Sequence, residues 1–217
     1  LGVILVGDNK ESITYVNMKQ KACENLGILT ESHTFPKNVT QELILQTIET
    51  MNRNQRIHGI LVQLPLPGHI NVNTIMNSIS YEKDIDGFHT MNAGKLFQNK
   101  DYLFSPCTPR GCIELLEHYN IDVKGMNITI IGCSNIVGLP LSMLLLHKGA
   151  TVTICHINTV STKDHCLHSD IIISCCGVPH LVQEDWINEG TIVIDIGTNK
   201  VNVNGQLKLV GDVDFEN

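Results

Sequence analysis

Short apolar runs alternate with amphipathic segments along the chain. The runs GVILVG at 2–7 and GILVQL at 59–64 are typical of buried strands, and a third, shorter strand is predicted near 31–35. The segments 12–27 and 40–52, which lie between these runs, have the spacing of helices. Strands that are apolar on both faces and separated by helices favour a parallel sheet with helices on each side.

The alternation restarts in the second half of the chain. KDIDGFH is followed by a stretch interpreted as loop, and helices are then predicted at 108–119 and 136–148. Further strands are predicted in the runs NITIIG, TVTIC, DIIISCC and TIVIDIG. Two successive α/β units hinged near 105–122 account for this order. We therefore expect two α/β domains, 1–118 and 119–217, the second Rossmann-like with a parallel sheet, and a cleft between them.

Composition agrees with a globular protein and narrows the possible partners. The chain has 217 residues, of which 42% are hydrophobic and 17% charged, and its formal net charge is −7. A negative balance argues against nucleic-acid or anionic-membrane partners, which need a basic surface. No apolar run approaches the roughly 20 residues that span a bilayer. The chain begins LGVILVGDNK, without Met or a basic segment, which indicates a trimmed sequence and not a signal peptide.

The eight cysteines are scattered, apart from the adjacent Cys175 and Cys176, and no C-x-x-C pair occurs. This spacing favours reduced thiols in a reducing compartment, with the cytoplasm expected first and an organelle such as the mitochondrion as the alternative. The patch DHCLH brings His165, Cys166 and His168 close in sequence. It lacks a second ligand pair at zinc-like spacing, so a polar helix face is preferred and no metal is expected.

The sequence GCSNIVGLP follows the predicted strand NITII and has the order of a phosphate-binding turn. Gly132 permits a tight turn, Ser134 stands where a middle glycine is usual, and Gly138 allows close packing of the next helix. Pro140 falls in the first helical turn, where its missing N–H costs little. Such a turn offers N–H groups to a pyrophosphate, but a purely structural β–α turn is an equal alternative on this pattern alone.

The end of the next strand, TICHINT, is where a dinucleotide-binding fold selects its cofactor. An acidic residue there binds the ribose hydroxyls of NAD, and a nearby Arg accepts the 2′-phosphate of NADP. His156, Ile157 and Asn158 supply neither. These residues therefore do not distinguish the two cofactors.

A lysine interrupts an apolar stripe on the first predicted helix. At about 100° per residue, Tyr15, Lys19, Ala22 and Leu26 fall on one side. Lys19 either extends its ammonium to solvent or faces a ligand cleft, where it could transfer protons.

Two further polar positions could meet a ligand. Gln63 ends a buried strand before LPLP, at the edge where open α/β sheets bind ligands. Asp86, next to Gly87 in KDIDGFH, either forms a turn or pairs with a guanidine-like edge of a ligand.

Eight blocks taken together resemble the bifunctional methylenetetrahydrofolate dehydrogenase/cyclohydrolase family. They run in order over nearly the whole chain: YVNMKQKA, GILVQLPLP, KDIDGFHTMNAGKL, PCTPRG, GCSNIVGLP, ATVTICH, VIDIGTN and GDVDF. The resemblance implies oxidation of 5,10-methylenetetrahydrofolate to the 5,10-methenyl form with NAD(P)⁺, followed by hydrolysis to 10-formyltetrahydrofolate. It also implies a homodimer, a folate-binding catalytic domain at 1–118 and an NAD(P)-binding domain at 119–217.

The resemblance assigns roles to four residues of the first half. Lys19 matches the lysine that manages proton transfer in the hydrolytic step, and Gln63 matches its hydrogen-bonding partner. Tyr15 matches an aromatic residue packed on the benzoyl ring of folate, and Asp86 matches the carboxylate that holds the amino edge of the pterin.

The resemblance also assigns a cofactor site, for which NADP is expected and NAD is possible. Members that use NADP often carry Arg in the glycine turn or after the second strand, where this chain has Cys133 and Ile157. The chain stops at GDVDFEN, before the segment that usually completes the folate site, and lacks the family's preceding helix. The expected cofactor-binding residues are Gly132, Cys133, Ser134, Gly138, Ile157 and Thr198.

Two alternatives remain open on the sequence. One is a degenerate relative that binds folate or nucleotide without catalysis, which the neutral residues at the cofactor positions would fit. The other is a different two-domain dehydrogenase, for which the stretch 89–112 offers His89 as its one histidine.

Overall fold

The computed structural model describes residues 1–203 and 205–216 and divides the chain into two compact units, Leu1–Ser105 and Pro106–Asn217. The sequence pattern predicts a later boundary, at 118/119. The helix Cys107–His118 belongs to the second unit, because it packs against the helix Gly138–His147 of that unit. Its buried side chains, Cys112 and Ile113 among them, therefore join the core of the second unit.

The first unit is a three-stranded parallel sheet with four helices. The strand order is β2-β1-β3, with β1 in the centre. The bounds are β1 Gly2–Val6, α1 Lys10–Asn25, β2 Glu31–Phe35, α2 Gln41–Arg53, β3 Ile60–Val62, α3 Val72–Ser78 and α4 Thr90–Phe97. Helix α4 lies in the stretch that the sequence analysis interpreted as loop, and the side chain of His89 caps it by accepting from Met91 N–H.

The side chains on both faces of strand β1 belong to the hydrophobic core, as its uninterrupted apolar run predicted. Alternate side chains of a strand point to opposite sides. Ile4 lies in a cluster with Ile44 and Ile48 of α2, whereas Val3 lies in a separate cluster with Val16 of α1. The prediction of a parallel sheet with helices on both sides is confirmed for this unit.

The second unit is built on a four-stranded parallel sheet of order β5-β4-β6-β7. An antiparallel hairpin, β8–β9, follows it and was not anticipated from the sequence. The bounds are α5 Cys107–His118, β4 Asn127–Ile131, α6 Gly138–His147, β5 Thr151–Cys155, α7 Thr162–Leu167, β6 Ile171–Ser174, a 3₁₀ turn at Glu184–Trp186, β7 Ile192–Asp195, β8 Asn199–Val203 and β9 Gln206–Val210.

Strand β4 lies between β5 and β6. The chain therefore adds β5 on one side of β4 and later adds β6 on the other side, so the order of the strands reverses at β4. The carboxyl ends of β4 and β6 meet at this reversal, which is where open α/β sheets bind ligands. No helix in the described part of the chain has the length and apolar character of a membrane span.

Two glycines allow α6 to start directly on the end of β4. Gly132 has φ 124°, and a Cβ there would lie 2.7 Å from the carbonyl oxygen of Cys175. A Cβ on Gly138 would collide with the carbonyl oxygen of Gly132. The spacing of these two glycines is therefore a steric requirement of the turn, whatever it binds.

We expect Gly138→Ala to lower the free energy of unfolding of the second unit by at least about 2 kcal/mol, because backbone must move to admit the methyl group. Gly111→Ala in α5 is the matched control, since a Cβ there meets nothing within 4 Å. It should raise stability by about 0.5–1 kcal/mol. Urea unfolding followed by the fluorescence of Trp186, the single tryptophan, reports on this unit. Equal stability of the two variants would contradict the prediction.

Candidate functional site

Helix α1 positions Lys19 at the margin of its buried face. The helix is capped by Asn9, whose side chain accepts from the N–H groups of Glu11 and Ser12. Its fully buried positions are Ser12 and Val16, and Lys19 is half-buried. The stripe expected from the sequence is not the packed face.

The other members of that stripe are exposed. Tyr15 is 52% exposed and Leu26, which follows the last helical residue, is 76% exposed. Tyr15 thus presents an open aromatic surface one turn before Lys19.

Gln63 lies at the carboxyl edge of the first sheet, where its side chain accepts a hydrogen bond from Lys19. Its N–H donates to the carbonyl of Ile4 at 2.9 Å, which extends the pairing of β3 with β1. Its side-chain amide donates to the carbonyl of Leu64 at 2.8 Å, and its Oε1 accepts from Lys19 Nζ at 3.2 Å. Of the two alternatives for Lys19, the structure therefore favours the one in which the ammonium is held at the ligand edge of the sheet.

The segment that carries Asp86 is anchored by its neighbours. Asp84 is 1% exposed and accepts from the N–H groups of Phe88 and His89, at 3.2 and 2.9 Å. It also accepts from Asn92 Nδ2 at 2.8 Å. Asp86 is half-buried in the turn that begins here. The sequence pattern does not single out Asp84, because Asp84 and Asp86 are two residues apart and this spacing does not show which carboxylate is buried.

Lys83 ties the same segment to α2. Its ammonium donates to the carbonyls of Met51, Asn52 and Asn54, at 3.0, 2.7 and 2.9 Å. A cation at the last carbonyls of a helix is favourable, since those groups have no partner within the helix. The turn with Asp86 is thereby held on a rigid base.

The glycine turn of the second unit leaves its central residues open. Cys133 and Ser134 are exposed. Ser134 also closes the start of α6, because its hydroxyl oxygen accepts from Val137 N–H at 3.2 Å and its carbonyl accepts from Leu139 N–H at 3.1 Å. Its hydroxyl is thus part of the turn itself.

The turn after β5 places Ile157 at its tip, where the side chain is 99% exposed. The turn is closed by His156 N–H, which donates to Thr159 Oγ1 at 2.8 Å, and by Asn158 N–H, which donates to His156 Nδ1 at 3.1 Å. Thr198 is exposed between β7 and β8. The candidate residues of this unit therefore lie in loops that follow its strands, apart from Gly138, which is the first residue of α6.

Asp212 is a buried hydrogen-bond acceptor that the sequence pattern did not indicate as a site residue. It is 0% exposed and its Oδ2 accepts from the N–H groups of Cys176 and Gly177, at 2.8 and 3.1 Å. Its Oδ1 accepts from Asn199 Nδ2 at 2.8 Å. Burial opposes ionisation, but the hydrogen bonds from Asn199 and the two N–H groups outweigh it and hold the pKa of the Asp212 carboxyl below its ordinary value.

None of the eight cysteines, each within the described residues, forms a disulfide. Burial raises the pKa of Cys166 and that of Cys175 to about 12. Cys166 is fully buried whereas His165 and His168 are exposed, so the DHCLH patch does not present three ligands on one face.

With this geometry in place, the comparisons with known proteins identify both units. Residues 1–86 match the family model described as the catalytic domain of tetrahydrofolate dehydrogenase/cyclohydrolase, and residues 106–217 match its NAD(P)-binding domain. The chain belongs to the tetrahydrofolate dehydrogenase/cyclohydrolase family. It is 52% identical over 217 residues to the bifunctional protein FolD of Nitratiruptor sp., covering 100% of this chain and 75% of that relative.

Solved structures of the family agree. The bifunctional FolD enzyme of Campylobacter jejuni superposes with a TM-score of 0.95 at 46% identity, over 99% of this chain and 75% of its own. The FolD of Trypanosoma brucei, solved with NADP and an inhibitor, gives a TM-score of 0.94 at 37% identity, over 99% and 74%. The expected family, two-domain α/β class and NAD(P) cofactor are confirmed.

The glycine turn of this family member fits a dinucleotide. Side chains on Gly132 or Gly138 would fill the space where backbone segments meet, and the N-terminus of α6 opens at the carboxyl edge of the sheet. N–H groups at such a terminus favour a pyrophosphate. The exposed tip of the turn is Cys133.

Bound dinucleotide should therefore protect Cys133 from alkylation. Iodoacetamide at about pH 8 should label the exposed Cys133 and Cys107, and NAD⁺ or NADP⁺ should slow labelling of Cys133 alone. Cys175 should stay unlabelled, because its thiol has a pKa of about 12. Peptide mass spectrometry resolves the sites. Equal labelling of Cys133 with and without dinucleotide would place the ligand elsewhere.

Proposed function

We propose that this chain oxidises 5,10-methylenetetrahydrofolate to 5,10-methenyltetrahydrofolate with NAD(P)⁺ and hydrolyses the product to 10-formyltetrahydrofolate. The contact between Lys19 and Gln63 carries the proposal, because it places a proton donor and acceptor at the ligand edge of the first sheet. A degenerate relative without catalysis has no need for such a contact.

Lys19 manages the protons of the hydrolytic step. Water adds to the methenyl carbon and loses a proton, which the lysine amine passes to the departing ring nitrogen N5. The bond between this carbon and N5 then breaks, and the hydroxyl proton is released as the formyl C=O forms. Gln63 orients the amine, since its own amide N–H is already engaged by the carbonyl of Leu64. The amide thus keeps its oxygen turned to Lys19.

Tyr15 and Asp86 bind the substrate. The exposed ring of Tyr15 offers a face for the benzoyl group, and aromatic pairs of this kind prefer offset stacking. The carboxylate of Asp86 accepts hydrogen bonds from the amino edge of the pterin, which resembles a guanidine. Tyr15 lies on helix α1, which Asn9 caps, and Asp86 lies in a turn that Asp84 and Lys83 anchor.

The second unit binds and orients the dinucleotide, which supplies the hydride acceptor. We assign this role to Gly132, Cys133, Ser134, Gly138, Ile157 and Thr198. No protein base is required for the oxidation, because the lone pair of the substrate nitrogen drives hydride loss. The protein contributes mainly through proximity and orientation.

We further infer a homodimer in a reducing compartment, with the cytoplasm as the expected setting. Leu207 and Leu209 are 72% and 69% exposed and lie two residues apart on β9, hence on the same side of the strand. A second copy of the chain would remove such side chains from water. Eight cysteines outside any disulfide support the reducing setting.

Lys19→Met in the full-length protein should lower the rate of 5,10-methenyltetrahydrofolate hydrolysis by at least about 100-fold, because the proton carrier is lost. Lys21→Met, an exposed lysine on the same helix, is the control and should leave the rate unchanged. The loss of methenyl absorbance measures hydrolysis. Retained hydrolysis in the Lys19 variant would refute the role given to this residue.

Ile157→Arg should raise kcat/KM for NADP⁺ relative to NAD⁺ by about tenfold, since an arginine there can pair with the 2′-phosphate. Thr151→Arg adds the same charge at the opposite end of β5 and should leave the ratio unchanged. Dehydrogenase assays with both cofactors give the ratio. An equal response of the two variants would attribute the effect to net charge and contradict the placement of Ile157.

A further inference from the structure

The carboxylate of Asp212 holds the loop that follows β6 through several hydrogen bonds. Besides the N–H groups of Cys176 and Gly177, Asp212 Oδ2 accepts from the hydroxyl of Ser174 at 3.1 Å. With Asn199 on its other oxygen, the carboxylate faces donors from the end of β6, from the loop that follows it and from the start of β8. An ionised carboxylate matches this arrangement, because it only accepts hydrogen bonds.

Two glycines permit this approach, and a second carboxylate fixes it. A Cβ on Gly197 would collide with the Asp212 side chain, and a Cβ on Gly211 would collide with that of Asp195. Asp195 in turn accepts from the N–H groups of Asp212 and Val213, each at 3.0 Å. The aspartates of VIDIG and GDVDF thus hold the two segments together. The glycines of these segments leave the space that the two carboxylates occupy.

The loop that Asp212 holds lies directly against the glycine turn. Cys175 N–H donates to the carbonyl of Ile131 at 2.8 Å, and an added Cβ on Gly132 would be 2.9 Å from Cys175 Sγ. Displacement of the loop therefore changes the shape of the turn, because closely packed backbone transmits a shift.

We propose that Asp212 is a positioning residue for the dinucleotide: through Cys176 and Gly177 it sets the loop that supports the glycine turn. The inference rests on the dinucleotide site of the proposed function and adds a residue that does not contact the cofactor itself. Asp212 acts on cofactor affinity and on the dehydrogenase step. The hydrolytic step uses no dinucleotide and is independent of it.

Asp212→Asn in the full-length protein tests the inference. An amide replaces one acceptor oxygen with an NH₂ group, which faces N–H donors or Asn199 whichever way it turns. We expect the dissociation constant of NAD⁺ or NADP⁺, measured by calorimetry, to rise about tenfold. Hydrolysis of 5,10-methenyltetrahydrofolate should proceed at the wild-type rate.

Asp170→Asn is the matched control. Asp170 Oδ2 also accepts a backbone N–H, that of Asn127 at 2.8 Å, but at the opposite, amino-terminal edge of the same sheet. Its dinucleotide affinity should equal that of the wild type. Both variants are measured at a temperature where Trp186 fluorescence reports a folded second unit.

Ser174→Ala keeps the inference testable if Asp212→Asn does not fold. It removes one donor from the carboxylate and should weaken dinucleotide binding about threefold with hydrolysis unchanged. The inference is overturned if folded Asp212→Asn binds the dinucleotide with wild-type affinity. If Asp212→Asn does not fold, wild-type affinity in Ser174→Ala overturns it. A parallel fall of hydrolysis and dehydrogenation does so too. A wild-type protein that binds neither dinucleotide overturns instead the proposed site on which the inference rests.

Discussion

Backbone N–H groups in the loops that follow parallel strands have no partner within the sheet, and in both units a buried aspartate accepts them. Asp84 does so for the loop after the bridge to β3, and Asp212 does so for the loop after β6. A buried N–H without a partner is costly, so each carboxylate stabilises the one conformation in which its donors converge. The turn that contains Asp86 and the loop that packs against the glycine turn are each anchored in this way.

The two units use this support for different chemistry. The first presents polar side chains, with Lys19 aligned by Gln63, and such side chains can hold a substrate and move its protons. The second presents mainly backbone, since Gly132 and Gly138 replace side chains where strand and helix meet. A dinucleotide pyrophosphate needs N–H groups and room more than it needs side-chain charge. One chain can therefore combine hydrolysis and oxidation.

Individual elements differ in how well the sequence predicted them. The largely apolar runs of β1, β4 and β6 predicted buried parallel strands, because parallel strands covered by helices are apolar on both faces. Helix α4 was missed, since its start depends on His89 as an N-cap, a residue without strong capping preference. The sequence placed the boundary at 118/119, later than Ser105, because α5 is amphipathic and periodicity does not tell which unit its apolar side meets.

By itself the sequence determined the family, the α/β class and the identity of Lys19 and the glycine turn as candidate sites, because each rests on local order or spacing. The family resemblance already paired Lys19 with Gln63, 44 residues away, and the tertiary structure shows the contact itself. Only the tertiary structure decided that Asp212 holds the loop after β6. Contacts between distant segments depend on how strands are ordered in the sheet. That order is set by packing over the whole unit, which no short stretch of sequence contains.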